Sequence, residues 1–189
     1  MSTDTGRSAS SPAAQVLVNY FRAKDGNRPH ILERVFSADA QLEVKNASSS
    51  IVFPAMTRGR EQIADVLVRD FARTYENVYS FYLSAPPSGE VEQFSCSWLV
   101  GMTERSSNSV RVGCGKYQWS LEYEPAPCAT SLSIYIEAMQ VLAPSERNRV
   151  LAWLEGLSYP WSTGADALRS APAIGELTPV LDYLNHNVA

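Results

Sequence analysis

The chain has 189 residues, of which 45% are hydrophobic and 19% charged, and it carries a net charge of -4 with a pI of about 5.2. This length and composition are typical of one globular domain that buries most of its unfolded surface. Phosphate binding needs a basic surface, so the mild acidity disfavours nucleic acid as the main partner.

Cysteine and histidine are scarce and widely separated. The three cysteines, Cys96, Cys114 and Cys128, are odd in number and predict no disulfide framework. The two histidines, His30 and His186, do not have the spacing of metal ligands. We therefore expect no metal and no cofactor.

The N-terminal residues 1–11 are polar and rich in serine and threonine, without the apolar stretch of a secretory signal. They predict a disordered tail on a cytoplasmic protein. No stretch approaches the roughly 18 consecutive apolar residues of a transmembrane helix, so we expect no membrane contact.

Three helices are predicted in the first 75 residues. Ser11 followed by Pro12 is an N-cap signature, and apolar residues at helical spacing extend this helix to Lys24. A short second helix is predicted to begin near Pro29. Gly59 precedes a third helix that we expect to end near residue 74.

Strand patterns separate and follow these helices. Residues 39–45 alternate polar and apolar side chains, as a half-buried strand does, and a short extended piece is predicted over 51–56. Turn-forming stretches then separate four further strands, and we expect antiparallel hairpins with helices on one face of the sheet, an α+β fold. The predicted strands span 78–84, 91–103, 110–123 and 131–142.

The remaining residues, 143–189, predict a helical extension. A helix is expected between Ser145 and Pro160, a loop over 162–174 and a short helix over 177–184. Because Trp153, Leu154 and Trp161 are too apolar for a loose tail, we expect the extension to dock on the preceding domain, residues 12–142.

Short motifs in this order resemble the SnoaL-like, or nuclear-transport-factor-two-like, superfamily. They are the Tyr20-Phe21 pair, the segment Phe36-Ser37-Ala38-Asp39-Ala40 before the first strand, and Gly59-Arg60-Glu61-Gln62-Ile63 at the third helix. The resemblance covers residues 12–142 and implies a cone-shaped, curved antiparallel sheet with N-terminal helices over its concave face and a small apolar pocket. Because the superfamily includes enzymes and non-catalytic proteins, this fold alone does not give a function.

The superfamily's ketosteroid isomerases imply three catalytic positions: a tyrosine, a carboxylate base and a second acid. By resemblance, Tyr20 lies at the tyrosine position, whereas the base position is occupied by Val44 and the second acid position falls near Gly115. Two of the three roles are missing, so the usual isomerase chemistry is not expected. The Tyr20 hydroxyl could donate a hydrogen bond to a ligand or be satisfied within the core.

Glu137 is the most informative carboxylate because its strand is otherwise apolar. A buried Glu137 would have a raised pKa and could serve with Tyr20 in acid–base catalysis. Alternatively, Glu137 lies on the sheet surface and pairs with Lys116 or Arg111.

Aromatic residues recur at every second position of the later strands, which predicts both a pocket and an interface. Phe94, Cys96, Trp98, Val100 and Met102 share one face of their strand, and a broad apolar sheet face left in water would be unusual for a monomer. We therefore expect a homodimer through the sheet face. The pocket is expected to involve Phe36, Val44, Phe71, Tyr117 and Trp119.

Two functions remain open. The pocket could bind a small hydrophobic molecule and support isomerase, dehydratase or cyclase chemistry. Alternatively, the protein could be a non-catalytic ligand-binding or protein-interaction module.

Overall fold

The described part of the chain, residues 10–187 of a computed structural model, begins just before the first helix. Helix α1 spans Pro12–Lys24, as the sequence predicts. Ser11 is its N-cap, and the Ser11 hydroxyl accepts a hydrogen bond from the backbone N–H of Ala14 at 3.1 Å. Of the predicted disordered tail, residues 1–11, the first nine lie outside the described residues.

Two further helical regions precede the long strands. The predicted second helix is a single stretch of 3₁₀-helix, Pro29–Arg34. The third is continuous but changes pitch, from α2 (Arg60–Ala64) through a π-helical turn (Asp65–Arg69) to α3 (Asp70–Thr74).

Seven strands form one sheet with the order β2-β1-β6-β5-β4-β3-β7. Their bounds are β1 Phe36–Asn46, β2 Met56–Arg58, β3 Tyr75–Leu83, β4 Gln93–Glu104, β5 Val110–Glu122, β6 Cys128–Leu142 and β7 Trp161–Ser162. The four long strands after the third helix agree with the sequence pattern to within a few residues. The extended piece predicted over 51–56 is instead mostly loop, with β2 beginning only at Met56.

The sheet is mixed rather than wholly antiparallel as predicted. Strand β1 runs parallel to β6, and β7 runs parallel to β3. The helices and the β3–β6 meander carry the chain away from β1 and then back beside it, so β1 and the last long strand point the same way. Hairpin patterns between neighbouring segments cannot reveal such pairs.

The inner, concave face of the sheet carries the aromatic core. The register sets Phe94 opposite Trp119 and Cys96 opposite Tyr117, so the aromatic series of β4 and β5 both point inward. Helix α1, the 3₁₀-helix and the third helix cover this face. The inner face is therefore the one that surrounds the cavity described below.

The C-terminal extension covers the apolar part of the outer face. It consists mainly of α4 (Arg147–Glu155), β7, α5 (Gly164–Ser170) and α6 (Thr178–Asn187), so the loop predicted over 162–174 is wrong. Thr163 caps α5 by accepting a hydrogen bond from the Asp166 N–H at 3.0 Å. Extension and sheet form a second buried cluster, whose sheet members are Phe81, Leu83, Leu99, Val110, Val112, Cys114 and Leu142.

This cover removes the premise of the dimer prediction. The apolar outer face is not left in water, because side chains of the same chain, including Trp153, Leu154 and Leu184, bury it. The homodimer itself stays a prediction.

Candidate functional site

An apolar cavity of about 50 Å³ lies between the inner face, α1 and the third helix. Helices contribute four of its lining residues, the loop between β1 and β2 contributes two, and the strands contribute the rest. The lining residues are Tyr20, Lys24, Ile51, Phe53, Leu67, Phe71, Trp98, Val100, Met102, Tyr117, Ile134, Ile136 and Met139. A water occupies roughly 10–15 Å³ on this measure, so the cavity has room for only a few water-sized groups.

Ile51 and Phe53 lie between this cavity and a shallower surface groove, which they also line together with Phe71. The Phe53 and Phe71 rings stack with centroids 6.5 Å apart. The cavity and the groove are therefore neighbours that share the side chains of Ile51, Phe53 and Phe71.

The structure brings two of the five predicted pocket residues, Phe71 and Tyr117, to the cavity wall, together with Tyr20, which was predicted as a catalytic residue. Phe36, Val44 and Trp119 are buried in the same core but do not line the cavity. They belong to the same buried cluster as the residues that line the cavity.

Trp119 shows how these residues contact the cavity wall. Its ring stacks on Phe36 at 5.9 Å and meets Tyr20 edge-on at 5.1 Å. Both contacts fix the orientation of the Tyr20 ring, since aromatic pairs favour such geometries.

Glu137 lies on the opposite side of the sheet from Tyr20. Its side chain is exposed on the outer face, in a shallow depression shared with Lys116 and Tyr183. Within the described residues Glu137 makes no ion pair with Lys116 or Arg111, and Arg111 instead pairs with Glu104 at 3.2 Å. Tyr20 and Glu137 are therefore not brought together, and a joint acid–base role for them is not supported by their positions.

Gly115, near which the resemblance to the isomerases sets their second acid, has no space for a side chain. A Cβ atom built on Gly115 would lie 1.8 Å from the Tyr135 carbonyl oxygen and 2.8 Å from Trp98 Cζ2. The strand pairing shifts register at this point, next to Glu137 on β6. Any side chain here would collide with backbone, so no carboxylate can occupy this position without a rearranged sheet.

Sequence reasoning missed the most polar feature of the cavity, a buried ion pair at the end of α1. Lys24 is only 6% exposed, and its Nζ lies 2.7 Å from Asp25 Oδ1 and 2.7 Å from Ser80 Oγ. Asp25 in turn accepts hydrogen bonds from the Ser80 N–H at 3.0 Å and the Ser80 hydroxyl at 2.8 Å. The Tyr159 hydroxyl, from the extension, donates to Asp25 Oδ2 at 3.3 Å.

One N–H of the Lys24 ammonium is left without an oxygen partner. An ammonium group has three donors, and Asp25 and Ser80 accept two of them. The ammonium lies 4.9 Å from the centre of the Phe71 ring and 5.8 Å from that of Phe21, close enough for cation–π attraction. Lys24 is therefore a charged donor held in place at an otherwise apolar wall.

A sequence signal for Lys24 existed. Lys24 follows Tyr20 by four positions and so lies on the same face of α1. A lysine in the last turn of a helix is ordinarily interpreted as a solvated cation that stabilises the helix C-terminus. The burial of Lys24 was therefore not expected.

Tyr20 and Trp98, both at the cavity wall, carry buried polar atoms without a hydrogen-bond partner among residues 10–187. Burial, with a further contribution from the negative charge of Asp25, raises the pKa of Tyr20 far above its ordinary value, although the nearby Tyr117 hydroxyl offsets part of this shift. Tyr20 is therefore a neutral hydroxyl at physiological pH. Among the described residues Trp98 Nε1 has no hydrogen-bond partner, and the Tyr117 hydroxyl interacts with Tyr20 Oη from a position outside hydrogen-bond geometry.

Among the described residues, no cluster of three or more histidine, cysteine, aspartate or glutamate side chains could hold a metal ion. In the same range, no helix is long and apolar enough to cross a membrane.

Known structures resemble this chain in fold but not in sequence. A nuclear transport factor 2 (NTF2-like) superfamily protein from Salmonella enterica subsp. enterica serovar Typhimurium str. LT2 matches with a TM-score of 0.53 and 15% identity, over 66% of this chain and 88% of its own. The chain has the nuclear-transport-factor-two-like fold. No protein-family model matches the sequence, and no curated protein matches it.

Two other structures with this fold show what it accommodates elsewhere. A hypothetical protein with a ketosteroid isomerase-like fold from Catenulispora acidiphila DSM 44928, in complex with trimethylamine, matches with a TM-score of 0.51 and 18% identity over 67% of this chain and 86% of its own. A hexachlorocyclohexane dehydrochlorinase, LinA Type2, matches with a TM-score of 0.51 and 14% identity over 69% and 87%. At such identities the nuclear-transport-factor-two-like fold is shared, and nothing more follows for this chain.

Proposed function

We propose that this protein binds a small hydrophobic molecule in the inner cavity. The observation that carries the proposal is the cavity itself: an apolar space at the centre of the aromatic core, with Lys24 as the one charged residue on its wall. An apolar cavity with a few polar groups is the usual character of a small-molecule site. Other proteins of this fold, one in complex with trimethylamine and one named a dehydrochlorinase, act on or hold small molecules.

Binding is better supported than acid–base catalysis. The lining residues include no carboxylate, and the nearest one, Asp25, already accepts bonds from Lys24, Ser80 and Tyr159. A general base must reach the proton it removes, and the apolar Val44 and the side-chain-free Gly115 stand where the isomerases have acids. Tyr20 remains a proposed ligand contact, whereas Glu137 is left out because it is exposed on the outer face.

Native mass spectrometry of protein purified from its own host, with gentle and denaturing runs compared, tests this function. We expect an extra mass that is released on denaturation. Val100→Phe places a larger side chain at the cavity wall and should abolish the extra mass, whereas Val141→Phe, at a 45% exposed position, should retain it.

Retention of the extra mass by the Val100→Phe variant would place the ligand outside the cavity. A bare chain that also gains no thermal stability from a panel of small apolar compounds would refute the proposed function. This follows because a ligand that binds only the native state must raise the apparent stability of the protein.

A homodimer through the sheet face is retained as a proposal, restricted to the part of that face that the extension leaves uncovered. This surface is polar, with Gln118, Ser131, Ser133 and Tyr135 among its residues. Sedimentation analysis over a range of concentrations would test it, and a monomer at high micromolar concentration would remove it.

A further inference from the structure

The polar atoms that line the cavity share one chemical property: they offer donors. The indole N–H of Trp98 and the third N–H of Lys24 can only donate, and the Tyr20 and Tyr117 hydroxyls can donate or accept. Tyr20 and Trp98 are 0% and 3% exposed, so bulk water does not satisfy them. A buried donor without a partner is unfavourable, and a ligand that supplies an acceptor removes this penalty.

The carboxylate beside the cavity, by contrast, is already occupied. Asp25 has its Oδ1 bonded to Lys24 and to the Ser80 hydroxyl, and its Oδ2 bonded to the Ser80 N–H and to Tyr159. A ligand ammonium would find no free carboxylate and would lie beside the Lys24 cation. The cavity therefore disfavours amines and other cations.

An anionic ligand is disfavoured for a different reason. The charge of Lys24 is balanced by Asp25 at 2.7 Å, so a carboxylate in the cavity would add a buried charge without a counter-ion. A neutral oxygen acceptor needs only donors, and these are what the wall provides.

We propose that the ligand is an uncharged apolar molecule with a carbonyl-type oxygen, held by hydrogen bonds from Lys24, Trp98 and Tyr20. This inference rests on the proposed function, because it names the chemical class that the same cavity takes. Lys24 is the residue that it adds to the site, and the Asp25–Ser80–Tyr159 contacts are what position Lys24.

The test uses three probes of one shape: cyclopentanone, cyclopentane and cyclopentylammonium. The readout is the indole N–H region of ¹H–¹⁵N NMR spectra of the full-length chain. A Trp98→Phe variant assigns the Trp98 signal, and Trp153, whose indole N–H donates to the Ala167 carbonyl at 3.0 Å, is the internal reference.

We expect cyclopentanone to move the Trp98 signal downfield, as a new hydrogen bond does, and to leave the Trp153 signal unchanged. Cyclopentane should bind more weakly without the downfield shift, and cyclopentylammonium should not bind. Tyr20→Phe should weaken cyclopentanone binding by about two- to tenfold, the effect of one hydrogen bond, and leave cyclopentane unaffected.

Each alternative result has a separate meaning. Equal affinity for cyclopentanone and cyclopentane, with no effect of Tyr20→Phe, overturns this inference and leaves the proposed function standing. Tighter binding of cyclopentylammonium overturns the inference as well. No change in any inner-face signal with any probe overturns this inference, and the native mass spectrum then decides the proposed function on its own.

Discussion

Each face of the sheet carries a buried apolar cluster, yet the polar atoms of the two clusters are satisfied to different degrees. Among the described residues of the inner cluster and its helices, Tyr20, Trp98 and Trp119 have buried polar atoms without partners. In the outer cluster the aromatic groups are paired, since the Trp153 indole donates to Ala167 and the Tyr183 hydroxyl donates to the Gly115 carbonyl at 3.0 Å, and the Ser162 hydroxyl on that side is without a partner.

Packing follows the same division only in part. The inner face leaves a cavity, and close packing against a glycine occurs on both faces: a Cβ atom on Gly101 would lie 2.1 Å from Leu154 Cδ1 on the outer face, and one on Gly113 would lie 2.4 Å from Met139 Cε on the inner face. Natural proteins relinquish stability mainly where function requires it. The comparison therefore supports the proposal that the outer face serves stability and the inner face binds a ligand.

The largest effect is expected from removing the extension after Leu142. This truncation exposes the apolar sheet residues of the outer face, so we expect a chain that aggregates or loses cooperative unfolding. Circular dichroism with thermal melting, together with light scattering, measures both. A truncated chain that stayed soluble and equally stable would show that the outer cluster contributes little and that the comparison is wrong.

A smaller change tests the same face without removing any backbone. Leu154→Ala deletes a fully buried side chain and should lower the free energy of unfolding by about 2–5 kcal/mol. Val141→Ala, at an exposed position of β6, is the control and should change it by no more than about 0.5 kcal/mol. Urea denaturation curves give both values, and equal effects would mean that Leu154 is not packed as the structure shows.

On the inner face we expect a substitution that raises, rather than lowers, the free energy of unfolding. Tyr20→Phe removes a buried hydroxyl that has no partner, so it should stabilise the unliganded protein, by about 1 kcal/mol. Tyr82→Phe is the matched control, because the equally buried Tyr82 hydroxyl donates to the Leu17 carbonyl at 2.9 Å and its loss should destabilise by about 1 kcal/mol. If Tyr20→Phe destabilised the protein as much as Tyr82→Phe, the Tyr20 hydroxyl would have a hydrogen-bond partner in the unliganded protein and would not be free to bind a ligand.

The fold could be predicted from the sequence because its signals are local. Helix α1 has a cap, a proline and an apolar stripe, and the long strands alternate with period two between turn residues. Strand pairs distant in sequence leave no such signal, which is why the parallel β1–β6 and β3–β7 pairs were missed. The helix Gly164–Ser170 was missed since its seven residues show little apolar periodicity.

The site could be predicted only in part, since a cavity is a property of tertiary packing. Tyr20 and Tyr117 could be named from resemblance and alternation, and both reach the cavity wall. The Lys24–Asp25 pair depends on Ser80, which is 55 positions away from Asp25. Trp98 was recognised as part of an aromatic strand face, but nothing in the sequence shows that its indole N–H lacks a partner.

Cysteine labelling provides the finest comparison of the two faces, because each face carries one buried thiol. Burial raises the pKa of Cys96, on the inner face, to about 12 and that of Cys114, on the outer face, also to about 12. The raised pKa values leave on the order of 10⁻⁴ of either thiol ionised at pH 8. Both should therefore react with iodoacetamide far more slowly than Cys128, which is only partly buried.

Peptide mapping by mass spectrometry at successive times would follow the three sites separately. Raising the pH increases the thiolate fraction, so all three rates should rise with pH, and Cys128 should remain the fastest. A saturating cavity ligand should slow labelling of Cys96 more than that of Cys114, since it stabilises the inner face against local opening. Equal slowing of both thiols would mean that the two faces open as one unit, and stability and binding could then not be assigned to separate faces.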